Sequence, residues 1–251
     1  MSEEHKFPSE IIDLPSKGKL YPKDSPLSEG KVEIKYMTAR EEDILTSQNL
    51  IKKGLVIEKL LNSLILTPNV TIDDMVLGDK NAIMVAARIL AYGPEYVAQI
   101  PNPVDDSLVD YTFDLSECPF KEVPEDVNYS ENKFSLELPA SKAKIEFKIL
   151  TGKDEKDIDA ELKSLKKVSS QVSPEVTTRL KYSILSINGD DDKQHIRTFV
   201  DQHLLSRDSI VLRKEIQRVS PDIELSQEIE LGGESVKVNI PMTVGFFWPE
   251  A

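Results

Sequence analysis

The acidic run Asn188-Gly189-Asp190-Asp191-Asp192 carries enough carboxylates to suggest a calcium loop. An EF-hand needs alternating ligands, a glycine at its sixth position and a bidentate glutamate at its twelfth, and that order is missing here. The run reads instead as a turn into a helix, with Asp191 or Asp192 as N-cap ahead of Ile196, Phe199 and Val200. His195 and His203 stand eight apart on the same predicted helix, whereas zinc-binding pairs on a helix stand three or four apart. Cys118, the single cysteine, lies between Glu117 and Pro119 with no histidine beside it. One thiol cannot close an internal disulfide and falls short of the about four ligands of a structural zinc site.

Other reactive patterns fail in the same way. Gly232-Gly233 is followed by Glu234 and Ser235 without a lysine at Walker spacing, so the glycines read as a hairpin turn. No glycine-framed serine elbow occurs. Leu14-Pro15-Ser16-Lys17-Gly18 has the outline of a cell-wall sorting signal, but it lacks the threonine and the apolar tail, and it reads as a turn. The carboxylates mostly alternate with lysines on predicted helix faces, which is the pattern of solvated surface. The expectation is a protein without catalytic residues, metal or cofactor. The competing class, a hydrolase, would need a carboxylate pair or a metal site in a cleft.

The elements that would position any site follow from the wider pattern. In 251 residues, 39% apolar and 30% charged, there is enough apolar surface for one large domain or two small ones. Thirty-one basic against 44 acidic residues give a net charge of −13, which repels phosphate backbones and anionic membranes, so nucleic acid is not an expected partner. No apolar run approaches the roughly 18 residues of a membrane span, and no charged-then-apolar signal opens the chain. A soluble, cytosolic chain is expected.

The chain also repeats itself. Lys31-Val32-Glu33-Ile34-Lys35-Tyr36-Met37-Thr38-Ala39-Arg40-Glu41-Glu42 recurs, similar at every position, as Lys144-Ile145-Glu146-Phe147-Lys148-Ile149-Leu150-Thr151-Gly152-Lys153-Asp154-Glu155. Lys31 and Lys144 stand 113 positions apart, far beyond the roughly 20 to 50 residue period of repeat arrays, so a duplicated domain is expected. Alternating apolar and charged residues predict a half-buried strand in each copy. Thr38 with Glu41, and Thr151 with Asp154, then have the spacing of a helix-capping box. In the second copy Ile158, Leu162 and Leu165 predict the buried stripe of an amphipathic helix.

After Gly93-Pro94 and again after Ser220-Pro221 alternation returns. It runs through Tyr96, Ala98, Ile100, Tyr111, Phe113 and Leu115 in the first copy, and through Ile223, Leu225, Val236, Val238 and Ile240 in the second, predicting a closing hairpin in each. The expected fold class is α+β: two tandem modules, each a strand, about three helices and a β-hairpin that pairs with the opening strand. The expected division is an extended, proline-rich N-terminal arm (1–30), a first module (31–117), a linker (118–137) and a second module (138–251). Phe246-Phe247-Trp248-Pro249 crowds three rings near the chain end, which either pack on the fold or anchor a partner.

Five segments, in order, resemble the T4-type baseplate hub family of tailed phages: Leu14-Pro15-Ser16-Lys17-Gly18-Lys19-Leu20-Tyr21-Pro22, Met37-Thr38-Ala39-Arg40-Glu41-Glu42-Asp43-Ile44-Leu45, Leu150-Thr151-Gly152-Lys153-Asp154-Glu155, Arg207-Asp208-Ser209 and Gly245-Phe246-Phe247-Trp248-Pro249. The resemblance implies a non-enzymatic structural or assembly subunit of the central hub of a contractile tail baseplate, or a hub-assembly chaperone absent from the mature virion. Its partners would be other baseplate hub and tail proteins, with Leu14, Pro15, Tyr21, Pro22, Phe246, Phe247, Trp248 and Pro249 as contact candidates. It would act in the host cytoplasm during assembly and in the virion tail. Many members of the family carry Cys-x-x-Cys pairs in the hairpins, near positions 100–104 and 230–233 here. This sequence has none, so the resemblance implies degenerate zinc knuckles without metal.

Overall fold

The first repeated segment begins as an edge-seeking strand, since Val32 and Ile34 must be covered while Lys31, Glu33 and Lys35 must not. A computed structural model describes residues 8–102, 107–168, 173–231, 233–242 and 244–247. In it β2 (Lys31–Lys35) pairs antiparallel with β1 (Ser9–Asp13), Ile12 opposite Val32, and both Val32 and Ile34 are buried. The described part of the arm expected to be extended is therefore a strand followed by a folded loop. Leu14, Leu20 and Leu27 are buried. Gly18 and Gly30 take the left-handed conformation (φ 76° and 70°), and a Cβ on Gly18 would overlap the Ser28 carbonyl.

Three short helices follow, α1 (Ala39–Thr46), α2 (Gln48–Lys53) and α3 (Val56–Leu64), then the longer α4 (Leu77–Tyr92). Glu41 closes the start of α1, where Oε2 accepts from the Thr38 amide at 2.9 Å and from the Thr38 hydroxyl at 2.6 Å while Oε1 accepts from the Lys35 ammonium at 2.7 Å. Burial alone would raise the pKa of Glu41, but the Lys35 and Thr38 donors outweigh it and the carboxyl titrates at about 2. Gly54, at φ 70°, ends α2. Val56, Leu60, Leu61 and Leu64 form the buried stripe of α3. At the end of α4 the buried Arg88 guanidinium donates to the Gly93 and Glu95 carbonyls, tying that helix to the hairpin of β3 (Glu95–Pro101) and β4 (Leu108–Asp114).

The second repeated segment builds the same start. β5 (Phe134–Glu137), β6 (Lys144–Phe147) and β7 (Ile184–Ile187) form a three-stranded antiparallel sheet. Asp154 in the first turn of α5 (Gly152–Val168) accepts from the Thr151 amide at 2.9 Å and from Lys148 at 2.8 Å. α6 (Glu175–Ser183), α7 (Lys193–Thr198) and a π-helical turn (Phe199–His203) lead to α8 (Ser206–Val219) and a last hairpin, β8 (Ser226–Leu231) with β9 (Glu234–Asn239). Asp192 is the N-cap of α7, its carboxylate accepting from the His195 amide at 2.7 Å.

The architecture is mixed α and β with small sheets, and beyond the N-terminal arm it departs from expectation in three further places. The closing hairpins do not pair with the opening strands; β3–β4 and β8–β9 are separate two-stranded sheets, while β6 is flanked by β5 and β7 and β2 by β1 and a bridge to Ile65. Residues 134–137, inside the span expected to be linker, are β5. The α5 stripe is shorter than predicted: Ile158 is fully buried, Leu162 half-buried and Leu165 exposed, since the second half of the helix runs past the core.

Two apolar cores form, and neither keeps to one half of the sequence. The first is built from residues 14–115 together with Ile223, Ile229, Ile240, Phe246 and Phe247. The second takes Leu20 and Val76 into a core otherwise drawn from residues 129–219. Between them, residues 73–77 run beside 150–153, with Leu77 N–H donating to the Leu150 carbonyl at 3.1 Å and Gly152 N–H to the Met75 carbonyl at 2.9 Å. A Cβ at Gly78 would overlap the Pro221 carbonyl, and one at Gly152 the Ile72 carbonyl.

Two outcomes are expected. Gly78→Ala must displace backbone at Pro221 and should destabilise the fold by about 1–3 kcal/mol, as overpacking does; an unchanged urea midpoint would show that the two segments do not meet this closely. For Glu41, the unfolded chain binds the proton more readily than the folded one (about 4.5 against about 2). Its contribution is therefore complete above pH 4.5 and lost as pH falls toward 2. The stability difference between the native chain and Glu41→Gln should shrink over that interval, and a difference independent of pH would contradict the assignment.

Candidate functional site

Four of the eight contact candidates lie at the N-terminal loop, and one carboxylate organises them. Asp79, in the first turn of α4, is fully buried and accepts from the Ser16 amide at 2.8 Å, the Ser16 hydroxyl at 2.6 Å and the Tyr21 hydroxyl at 2.6 Å. The Tyr21 oxygen in turn accepts from the Val76 amide at 3.0 Å. Burial pushes the Asp79 pKa up against the pull of these donors, and burial beside Asp79 also pushes the Tyr21 phenol up. Leu14 and Pro15 are buried by this arrangement, Tyr21 is half-buried and Pro22 is exposed.

A matching carboxylate stands in the first turn of α8. Asp208, also fully buried, accepts from the amides of Ala140 and Ser141 at 2.8 and 2.9 Å in the loop between β5 and β6. Burial works against its charge, yet these N–H donors prevail and hold its pKa below the ordinary range. Neither aspartate was singled out by chemistry in the sequence. The available signal was positional: each opens a helix that ends at a Gly-Pro or Ser-Pro pair, and each follows a Leu-Pro loop of the same type.

The other four candidates are at the chain end. Phe246 and Phe247 are both buried, Phe246 edge-on to Tyr96 at 5.0 Å and Phe247 edge-on to Phe246 at 5.3 Å. The rings pack on the first hairpin, which the Tyr96 hydroxyl fastens further by donating to the Pro241 carbonyl at 2.9 Å. Trp248 and Pro249 lie outside the described residues.

The remaining reactive groups are engaged locally. Burial raises the pKa of the Cys118 thiol, which leaves it protonated and weakly nucleophilic. His195 Nδ1 lies 2.7 Å from Asp190 on an exposed turn where Asn188 and Gly189 both have positive φ, the geometry of a tight hairpin turn. His203 falls in the π-helical turn rather than on α7. Among the described residues no group of three or more His, Cys, Asp or Glu is placed to hold a metal ion, and no helix is long and apolar enough to cross a membrane. At the hairpin positions implied for zinc knuckles, Ile100 is buried in the first core and Leu231 packs against it.

One concave feature offers a site. A groove of about 330 Å³ runs between the end of α2, the start of α3, the first turn of α4 and the exposed side of α5. On its wall Lys156 of α5 bridges Glu58 of α3 at 3.0 Å and Asp73 at 2.8 Å, and the hydrogen bonds it donates to Asp73 and Glu58 hold the ammonium pKa up. Glu155 is bound by Arg179. Lys53, Lys80 and Lys163 line the same groove and have no carboxylate partner among the described residues. Charged groups dominate the groove lining. In comparisons with known proteins, no family model, no curated protein and no solved structure matches the chain.

Truncating Phe246 to alanine should cost about 3–5 kcal/mol, the usual range for a fully buried phenylalanine. A thermal midpoint equal to that of the native chain would mean that the tail is not part of the first core.

Proposed function

We propose that this chain is a non-enzymatic structural or assembly subunit of the central hub of a contractile phage-tail baseplate, built from two copies of one strand–helices–hairpin module. The observation that carries the reading is the use to which the resembling segments are put. Ser16 and Tyr21 lock the N-terminal loop onto Asp79, Thr38 with Glu41 and Thr151 with Asp154 start α1 and α5, Asp208 holds the second loop, and Phe246 with Phe247 close the first core. Residues shared with a family in this way describe a common scaffold, and a scaffold whose distinctive residues face inward leaves its surface for other proteins.

Duplication is supported by three paired constructions: the hairpins β1–β2 and β5–β6, the ion pairs Lys35–Glu41 and Lys148–Asp154, and the loop-holding aspartates Asp79 and Asp208. On this reading the hairpins, where many members of the resembling family carry Cys-x-x-Cys pairs, would be held by apolar burial of Tyr96, Phe113, Ile229 and Ile240. Partners would be hub and tail proteins, met in the host cytoplasm during assembly. A hydrolase is less well supported, because Glu58 and Asp73, the facing carboxylates of the groove, are both engaged by Lys156.

Mass spectrometry of purified particles and of fractionated tail-assembly intermediates tests the reading. Fixed stoichiometry in particles is the expected result for a virion subunit, and presence in intermediates alone would assign the assembly-chaperone role. Absence from both would overturn the proposal.

A further inference from the structure

Every charge on the exposed face of α8 is positive, in a chain of net charge −13. The helix buries Asp208, Leu212 and Val219. Helical periodicity puts Arg207, Ile210, Arg213, Lys214 and Gln217 on the opposite side, and all five are exposed. The two acids of the helix do not neutralise this face: Asp208 is buried and held by the Ala140 and Ser141 amides, and Glu215 is bound by Arg218 at the edge of the face. Arg213 and Lys214 have no ion pair among the described residues. Nor does the helix dipole call for these cations, since Arg207 lies in the first turn, where a cation is disfavoured, and Arg213 lies mid-helix. Ile210, in the middle of the face, is 46% exposed, and Leu205, just before the helix, 51%.

The outward face of the first hairpin is the opposite in charge. In the register of β3 with β4, Tyr96 and Phe113 turn to the core while Glu95, Val97, Leu108, Asp110 and Asp114 turn away from it. Neither strand contains a lysine, arginine or histidine. Val97 and Leu108, 61% and 65% exposed, rank with Ile11 as the most exposed large apolar side chains among the described residues.

We propose that a second copy of this chain covers both faces: α8 of one copy lies along the β3–β4 hairpin of another, with Arg207, Arg213 and Lys214 against Glu95, Asp110 and Asp114, and Ile210 against Val97 or Leu108. The faces match in length, since a 14-residue helix runs about 21 Å and a 7-residue strand about 23 Å. Both are exposed within one copy, so a copy does not cover its own. The net charge of −13 repels copies that approach in other orientations, and the complementary patches select this one. A polyanion such as duplex DNA would meet α8 alone and leave Val97 and Leu108 in water. Because the two faces differ, the contact either closes as a reciprocal pair or continues to further copies. One helix on one hairpin makes a small interface, so association is weak and depends on concentration. The inference stands on these two faces and is independent of the tail-hub reading.

The test is sedimentation velocity of the full chain over a concentration series, in which the weight-average mass should rise with concentration. Arg207→Glu/Arg213→Glu/Lys214→Glu should weaken association about tenfold, as the loss and reversal of a few exposed ion pairs implies, and Glu95→Lys/Asp110→Lys should do the same. Lys23→Glu/Lys163→Glu/Lys193→Glu, which gives the same net charge as the α8 variant from exposed lysines elsewhere, should associate as the native chain does. An equimolar mixture of the α8 and hairpin variants should associate again, because reversed helix then meets reversed hairpin and native helix meets native hairpin. Circular dichroism melts check that each variant is folded; if a reversal lowers the thermal midpoint, Arg213→Gln/Lys214→Gln carries the same expectation at reduced size. A chain that stays monomeric at every concentration, folded variants that associate as the native chain does, or a mixture of folded variants that does not recover would each overturn the proposal. So would a monomer whose α8 arginines bind duplex DNA or anionic vesicles instead.

Discussion

Residues 76–79 are the point on which the rest of the fold depends. Within four positions the chain gives Val76 to the second core and bridges it to Thr151, lays Gly78 against the Pro221 carbonyl, and buries Asp79 as the acceptor for Ser16 and Tyr21. A carboxylate buried this completely is costly unless its lone pairs are used, and three donors from one loop use them. The loop so held carries Leu20 into the second core and leaves Tyr21 packed against both.

That arrangement makes the two halves of the chain mutually dependent. The last hairpin and Phe246 and Phe247 complete the first core, while Leu20 and Val76 complete the second. The segment after the first hairpin joins in, as Phe120 bridges to Ile223 and the Lys121 ammonium binds the Gln217 and Ser220 carbonyls at the end of α8. Ion pairs between the halves at Lys156 are partly exposed and contribute little by comparison. The coupling is chiefly apolar burial and close backbone approach.

The local structure was legible where a short-range rule governs it. The repeat at 31 and 144 exposed both strands and both capped helices, Asp192 was readable as a cap from the residues after it, and alternation through Tyr96–Ile100 and Tyr111–Leu115 showed the first hairpin. What escaped was set by distant contacts. β1 hides in a proline-rich arm because its five residues, Ser9 to Asp13, do not alternate: Ile11 and Ile12 stand side by side and Ile11 is exposed. Nothing in the stripe Ile158-Leu162-Leu165 says where the core beneath α5 ends. The exchange of tail and loop between cores and the roles of Asp79 and Asp208 depend on partners more than fifty positions away along the chain.

Differential scanning calorimetry of the intact chain tests the interlocked architecture most directly. Cores completed by each other's residues predict a single transition whose calorimetric and van't Hoff enthalpies agree. Two resolved transitions, each with the enthalpy of about half the chain, would mean that the two halves fold independently and would contradict the account.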